Sequence, residues 1–250
     1  EGGSGNDFLY ANATNDLQTG AALEDTGFEM DIVSGGAGDD QIWAGYGDVV
    51  DGGLGTDTLN LNLSAAGAGV VLNLAPLASG GTVANGSGSI TGIEKLGTLT
   101  GTAFNDRLTL GTFATQVTVN GGAGDDVIIG GGSSANINGG DGNDWIVSGA
   151  GADMIYGGAG ADLIDYSTFA GGVGVVLAAP GNPGGGGGDV LYDIENVLGT
   201  AFADSITGNA LSNNLFGGAG DDTIDGGAGD DLLVGGAGAD SLTGGAGYDY

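Results

Sequence analysis

Aspartate recurs at the sixth place of a nine-residue unit, G-G-x-G-x-D-x-U-x with U apolar, and this recurrence is the chain's main chemical signal. There is no cysteine and no histidine, so thiol nucleophiles, disulfides, zinc sites of the usual type and Ser-His-Asp catalysis are excluded. What remains is oxygen: carboxylates, and the carbonyls of whatever turn the glycines make. Calcium takes about six to eight such ligands in a tolerant geometry, whereas magnesium demands a tight octahedron and keeps its waters. The residue types therefore predict repeated calcium sites.

The elements that must position these groups follow from the same unit. Glycines at the first, second and fourth places permit left-handed backbone angles, so six residues can reverse the chain with carbonyls aimed inward. The eighth place is apolar at Ile42, Leu59, Ile128, Ile137, Ile146, Ile155, Ile164, Leu215, Ile224, Leu233 and Leu242. In a three-residue strand this middle side chain points inward, so two units make one coil with their apolar side chains meeting between opposite strands. The expected fold is all-β, a right-handed parallel β-roll or β-helix solenoid with calcium in the turns. Units run without a break from Gly217 to the end, and a second block runs from Gly121 through the unit that opens at Gly157. Single copies open at Gly2, Gly35 and Gly52, with a worn copy, AGYGDVVD, at 44–51.

Composition agrees with an ion-dependent chain. Glycine supplies 60 of 250 residues with no three-residue period, and three prolines are too few for a collagen helix. Against 32 acidic residues stand only Lys95 and Arg107, a formal net charge of −30 that repels nucleic acid and anionic membranes and attracts cations. No apolar run is long enough to span a membrane, so no direct membrane insertion is expected. The chain opens at Glu1 without a secretory leader, which points to processing or another export route.

The unit resembles the repeats-in-toxin (RTX) family of calcium-binding nonapeptide repeats. The resemblance implies ions held between turns on one edge, two units apart, and so ligand aspartates separated by 18 residues. Asp126, Asp144 and Asp162 form one such row, Asp204, Asp222 and Asp240 a second, and Asn213, Asp231 and Asp249 a third. Asp7, Asp40, Asp57, Asp106 and Asp153 complete the expected side-chain ligands. Backbone carbonyls are expected from Gly35, Ala37, Gly121, Ala123, Gly139, Gly157, Ala159, Gly217, Ala219, Gly226, Ala228, Gly235 and Ala237. Sites of this kind would hold roughly ten calcium ions.

Departures set further expectations. Ala135 stands in an aspartate place, so Asp153 lacks a partner 18 residues earlier and that edge should hold fewer ions. The Gly35 and Gly52 copies are 17 apart, which puts Asp40 and Asp57 in question. The fifth-place aspartates, Asp39, Asp125, Asp221 and Asp230, read as solvated surface charges.

The whole chain, 1–250, reads as one continuous solenoid. A first repeat block covers 1–60, with an inserted loop at 11–30. Wider coils follow at 61–120, a second block at 121–165, wider coils with a glycine-rich loop at 166–207, and a third block at 208–250. The two wider segments resemble each other: Val70-Val71-Leu72 matches Val175-Val176-Leu177, Ile93-Glu94-Lys95-Leu96 matches Ile194-Glu195-Asn196-Val197, and GTAFNDRLT (101–109) matches GTAFADSIT (199–207). They read as lengthened strands, with Gly184 to Gly188 as a loop tip.

One buried side chain per nine residues is a poor return for ordering nine backbones, so the metal-free chain should be largely disordered and ions should drive folding. No pair of carboxylates is set apart for catalysis, so no enzyme activity is expected. Trp43, Trp145, Tyr156 and Phe216 fall at outward strand places. The expected protein is a calcium-folded, secreted structural subunit of an extracellular filament, matrix or surface layer. The alternative is a calcium-dependent module of a larger secreted enzyme, toxin or adhesin; 250 residues without a catalytic domain favour the first. The family resemblance implies type I secretion from a Gram-negative bacterium. Both ends open on repeat turns, so a homo-oligomer is expected, the Asp249 turn of one copy stacking on the Gly2–Asp7 turn of the next.

Overall fold

The computed structural model describes residues 1–10, 30–113, 115–177 and 185–250. Short strands stack into four sheets, each strand one winding from its neighbour. The first sheet starts at Gly3–Ser4 and ends at a hairpin of Val83–Asn85 with Gly88–Thr91, whose pairing is antiparallel. The second runs from Phe8–Tyr10 to Val190–Tyr192, the third from Val71–Asn73 to Leu232–Ala237, and the fourth from Gly174–Val176 to Ser241–Ala246. Apart from that hairpin, the strand pairs are parallel, as Ile128 with Ile146 and Ile146 with Ile164. The fold is a parallel β-roll.

The alternation of the nonapeptide explains the core. Eighth-place side chains point inward and form a file between facing sheets, with Ile42, Leu59, Ile128, Ile146, Ile155, Ile164, Leu215 and Ile224 all sealed from solvent. Leu242 departs from the expectation: it is 48% exposed, because the described chain places no winding over it. The outward places behave as read: Trp145 is exposed and Trp43, Tyr156 and Phe216 are half-buried. Phe8, Tyr10 and Trp43 stack on one stretch of the second sheet, and Tyr156 stacks on Tyr192 at another.

The two similar segments exchange one sheet for another. Up to Asn62 the strands alternate between the first and second sheets, and through most of the middle they alternate between the second and third. From Asn196 onward they alternate between the third and fourth. Val71–Asn73 founds the third sheet as the first one closes, and Gly174–Val176 founds the fourth as the second closes. The strands here are no longer than elsewhere, contrary to the expectation of lengthened ones. The added residues form a 3₁₀ turn at Leu77–Ser79, the hairpin, and larger core side chains such as Phe113 and Tyr166.

The sequence match between these segments is also shifted. Leu72 pairs with Leu108 and Val175 with Ile206, so Val70-Val71-Leu72 corresponds in space to Val173-Gly174-Val175, two residues before the matching triplet. A shift of two preserves the inward and outward alternation, which is why the apolar pattern alone could not separate the registers. The loop expected at 11–30 lies, save its last residue, outside the described residues, as does Gly184. Within the rest of the glycine run Gly186 is buried, where a Cβ would meet Val173 and Tyr166, while Gly187 and Gly188 are exposed. Among the described residues no helix is long and apolar enough to cross a membrane.

Replacing Ile146 with alanine should destabilise the roll by about 2–5 kcal/mol, whereas Leu242→Ala should cost under about 1 kcal/mol. Thermal midpoints of both variants in saturating calcium check the contrast.

Candidate metal centre

Each turn is tied to the next by its sixth-place side chain. The backbone N–H of Asp126 donates to Oδ1 of Asp144 at 2.8 Å, and that of Asp144 to Oδ1 of Asp162 at 2.8 Å. The same bond joins Asp106 to Asp126, Asp204 to Asp222, Asp222 to Asp240, Asn213 to Asp231, and Asp231 to Asp249, at 2.7–3.1 Å. The structure thus brings the three expected rows together. Near the N-terminus Asp7 donates to Asp40 and Asp40 to Asp57, both at 2.8 Å, so the 17-residue spacing leaves the geometry intact. Asp48 of the shortened unit takes up the change: fully buried, it accepts the N–H of Gly45 at 2.7 Å and of Asp31 at 2.9 Å.

The fifth place carries an opposing ladder. Here the N–H of the later winding donates to the earlier side chain: Thr56 to Asp39, Asn143 to Asp125, Ala239 to Asp221 and Tyr248 to Asp230, at 2.8–3.0 Å. These aspartates are exposed, as expected, but they are also inter-winding acceptors, a role composition alone does not reveal. Ala135 does not interrupt the inner ladder either, because its N–H donates to Asp153 Oδ1 at 2.7 Å. Asp153 in turn donates to Asp189 at 2.8 Å.

The second oxygen of the sixth-place carboxylates is the exceptional group. Oδ2 of Asp7, Asp40, Asp57, Asp126, Asp144, Asp162, Asp222 and Asp231 is buried with no hydrogen-bond partner among the described residues. A buried ionised oxygen without a donor is costly, and 32 acids cannot be matched by two basic residues. The first-place glycine shows where each oxygen points. A Cβ added at Gly121 would overlap both Asp126 Oδ2 and the carbonyl of Gly139, and one at Gly139 would overlap Asp144 Oδ2 and the carbonyl of Gly157. The same pairing places the Gly35 carbonyl beside Asp7, Gly235 beside Asp222, and the Gly121, Gly217 and Gly226 carbonyls beside Asp106, Asp204 and Asn213. One carboxylate oxygen and one carbonyl oxygen therefore converge at each turn, and among the described residues no three carboxylates gather at one point. This all-oxygen, single-carboxylate donor set fits calcium, completed by further carbonyls or water.

Third-place carbonyls hold a different position. Those of Ala37, Ala159 and Ala237 accept the N–H of Gly5, Gly142 and Gly220 at 2.7–2.8 Å, which leaves each a second lone pair. For Ala123, Ala219 and Ala228 the N–H donates to the carbonyls of Thr102, Thr200 and Asn209. The sequence reading missed the groups that finish the rows. Glu94 and Glu195 accept the N–H of Asp57 and Asp162 at 2.9 Å, standing where the next aspartate would be. The carbonyls of Gly92 and Asp193 lie beside Asp57 and Asp162, and both residues have positive φ. The recurring I-E pair at 93–94 and 194–195 was the available signal.

The RTX calcium-binding nonapeptide repeat profile matches at 1–26, 25–59, 118–134, 135–167, 198–233 and 216–250, together more than half of the chain. The chain belongs to the RTX family. No curated protein matches it. RTX repeats bind calcium, and buried carboxylate oxygens without a donor are groups that such an ion would satisfy.

Burial governs the protonation of these RTX turns. It pushes Asp126 up to about 7 and Asp162 up to about 6, opposed by the N–H bond each accepts. Asp57, Asp144 and Asp222 are raised for the same reason. A carboxylate raised on folding favours the fold below its unfolded value near 3.8, and that contribution is lost as pH climbs to about 7. The calcium-free chain should therefore gain β-structure on acidification from pH 7 to below 4, with calcium affinity falling over the same window. Circular dichroism of dialysed protein and calcium titrations at each pH check both signs.

Proposed function

We propose that this chain is a calcium-folded structural protein, secreted from a Gram-negative cell and assembled outside it into a filament, matrix or surface layer. The observation that carries the calcium dependence is the set of buried carboxylate oxygens that the protein supplies with no donor. Ions bridging one turn to the next bind the folded state alone and stabilise it by mass action. Extracellular calcium modules commonly bind at about 10⁻⁴–10⁻³ M, so such a chain stays unfolded where calcium is scarce and folds once exported.

The structural role is supported by where apolar groups lie. Leu232 and Val234 lie exposed side by side on the outer face of the edge strand of the third sheet, an apolar pair open to a partner, while Val71 and Trp145 stand singly on strands further along it. The last described winding leaves Leu242 half exposed and offers the edges of Leu232–Ala237 and Ser241–Ala246 for parallel pairing. A further winding from a second copy would bury both, the basis of end-to-end stacking. A winding from a longer polypeptide would serve equally, which is the reading as a module of a larger secreted enzyme, toxin or adhesin.

Circular dichroism with light scattering during one calcium titration separates folding from assembly. β-structure should rise first and scattering after it, both reversed by chelator; a native spectrum in chelator would contradict the folding role. Electron microscopy separates the two readings, since monodisperse particles with and without calcium would leave only the module.

A further inference from the structure

Two kinds of turn in the roll differ at the second place. In the glycine-opened turns the second residue has positive φ, as at Gly122, Gly140, Gly158 and Gly218, and Oδ2 of the aspartate four residues on has no partner. In GTAFND (101–106) and GTAFAD (199–204) the second residue is threonine, and no residue of either turn has positive φ. The Thr102 N–H then faces the carboxylate and donates to Asp106 Oδ2 at 2.6 Å, while its hydroxyl donates to Oδ1 at 3.0 Å. Thr200 makes the same two bonds to Asp204, at 2.6 and 3.0 Å. Each hydroxyl also accepts the N–H two residues on, from Phe104 or Phe202, at 3.0 Å.

A third donor comes from far along the chain. Val70 N–H reaches Asp106 Oδ1 at 2.6 Å, and Val173 N–H reaches Asp204 Oδ1 at 2.7 Å. These two valines immediately precede Val71–Asn73 and Gly174–Val176, the founding strands of the third and fourth sheets. Three donors converge on each of these carboxylates, which is the satisfaction an ion would otherwise provide. Their own N–H groups donate to Asp126 and Asp222, the first glycine-type carboxylates of the following rows.

We infer that the Thr102 and Thr200 turns close without metal, that Asp106 and Asp204 are not calcium ligands, and that these turns are the ion-independent clamps from which the ion-requiring windings extend. The inference rests on the calcium reading above. It follows that a turn lacking two left-handed glycines orders at lower conformational cost, so the clamps form before the rows they anchor.

Bound calcium is counted by equilibrium dialysis on the full chain, at saturation, for wild type, D106N, D204N, D126N and D222N. D106N and D204N should keep the wild-type count, while D126N and D222N each lose at least one ion. Loss of ions from D106N or D204N to the extent seen in D126N would overturn the inference. Hydrogen exchange on calcium-free wild type tests it without mutation. The amides of Val70, Thr102, Val173 and Thr200 should exchange at least tenfold more slowly than those of Asp126, Asp144 and Asp222, and equal rates would refute the clamps. Absence of any bound calcium in wild type would instead remove the calcium reading itself.

Discussion

A carboxylate that accepts the backbone N–H of the previous winding through one oxygen, and keeps the other oxygen free of donors, is the interaction on which the roll depends. Strands of two to seven residues with one inward side chain per unit cannot hold a stack together by apolar contact alone. The inner ladder of sixth-place side chains and the outer ladder of fifth-place side chains run in opposite senses between the same windings. Together they fix the axial register that the hydrophobic file leaves loose. The geometry that makes the ladder also stacks like charges one winding apart, so the link between turns and the repulsion between turns share a source.

This coupling makes the ion structural. In an ordinary domain a buried carboxylate is neutralised by a lysine or arginine, but here Lys95 and Arg107 are alone among 32 acids. The remaining routes are protonation, which burial encourages at Asp126 and Asp162, and a divalent ion. Both meet the same oxygen. First-place glycine is required in either kind of turn, because a Cβ there would occupy the space into which the carboxylate and carbonyl oxygens point.

Much of the architecture was legible in the sequence, for a physical reason. A turn that needs left-handed residues at fixed places writes glycine at those places, and a strand with one buried face writes Ile or Leu at the eighth. The rows through Asp126 and Asp222 followed from that phase. What could not be read was long-range or degenerate. Glu94 and Glu195 finish the rows from outside the nonapeptide pattern, and Asp189 receives Asp153, Ser148 and Tyr166 from windings its own sequence neighbourhood does not reveal. The exchange of sheets at Val71 and Gly174 is hidden because a two-residue shift preserves alternation. Asp204 fits the 18-residue spacing as well as any other and Asp106 misses it by two, so spacing does not set the pair apart, and the threonine four residues before each is what distinguishes their surroundings.

The central claim is that a divalent ion completes the coordination of the donor-free carboxylate oxygens. The most direct measurement is a high-resolution crystal structure in millimolar calcium with anomalous scattering to identify the ions. The account predicts a calcium ion about 2.3–2.6 Å from Oδ2 of Asp126, Asp144 and Asp222 and from the facing glycine carbonyl. Water alone at those positions, with the turns otherwise unchanged, would contradict it.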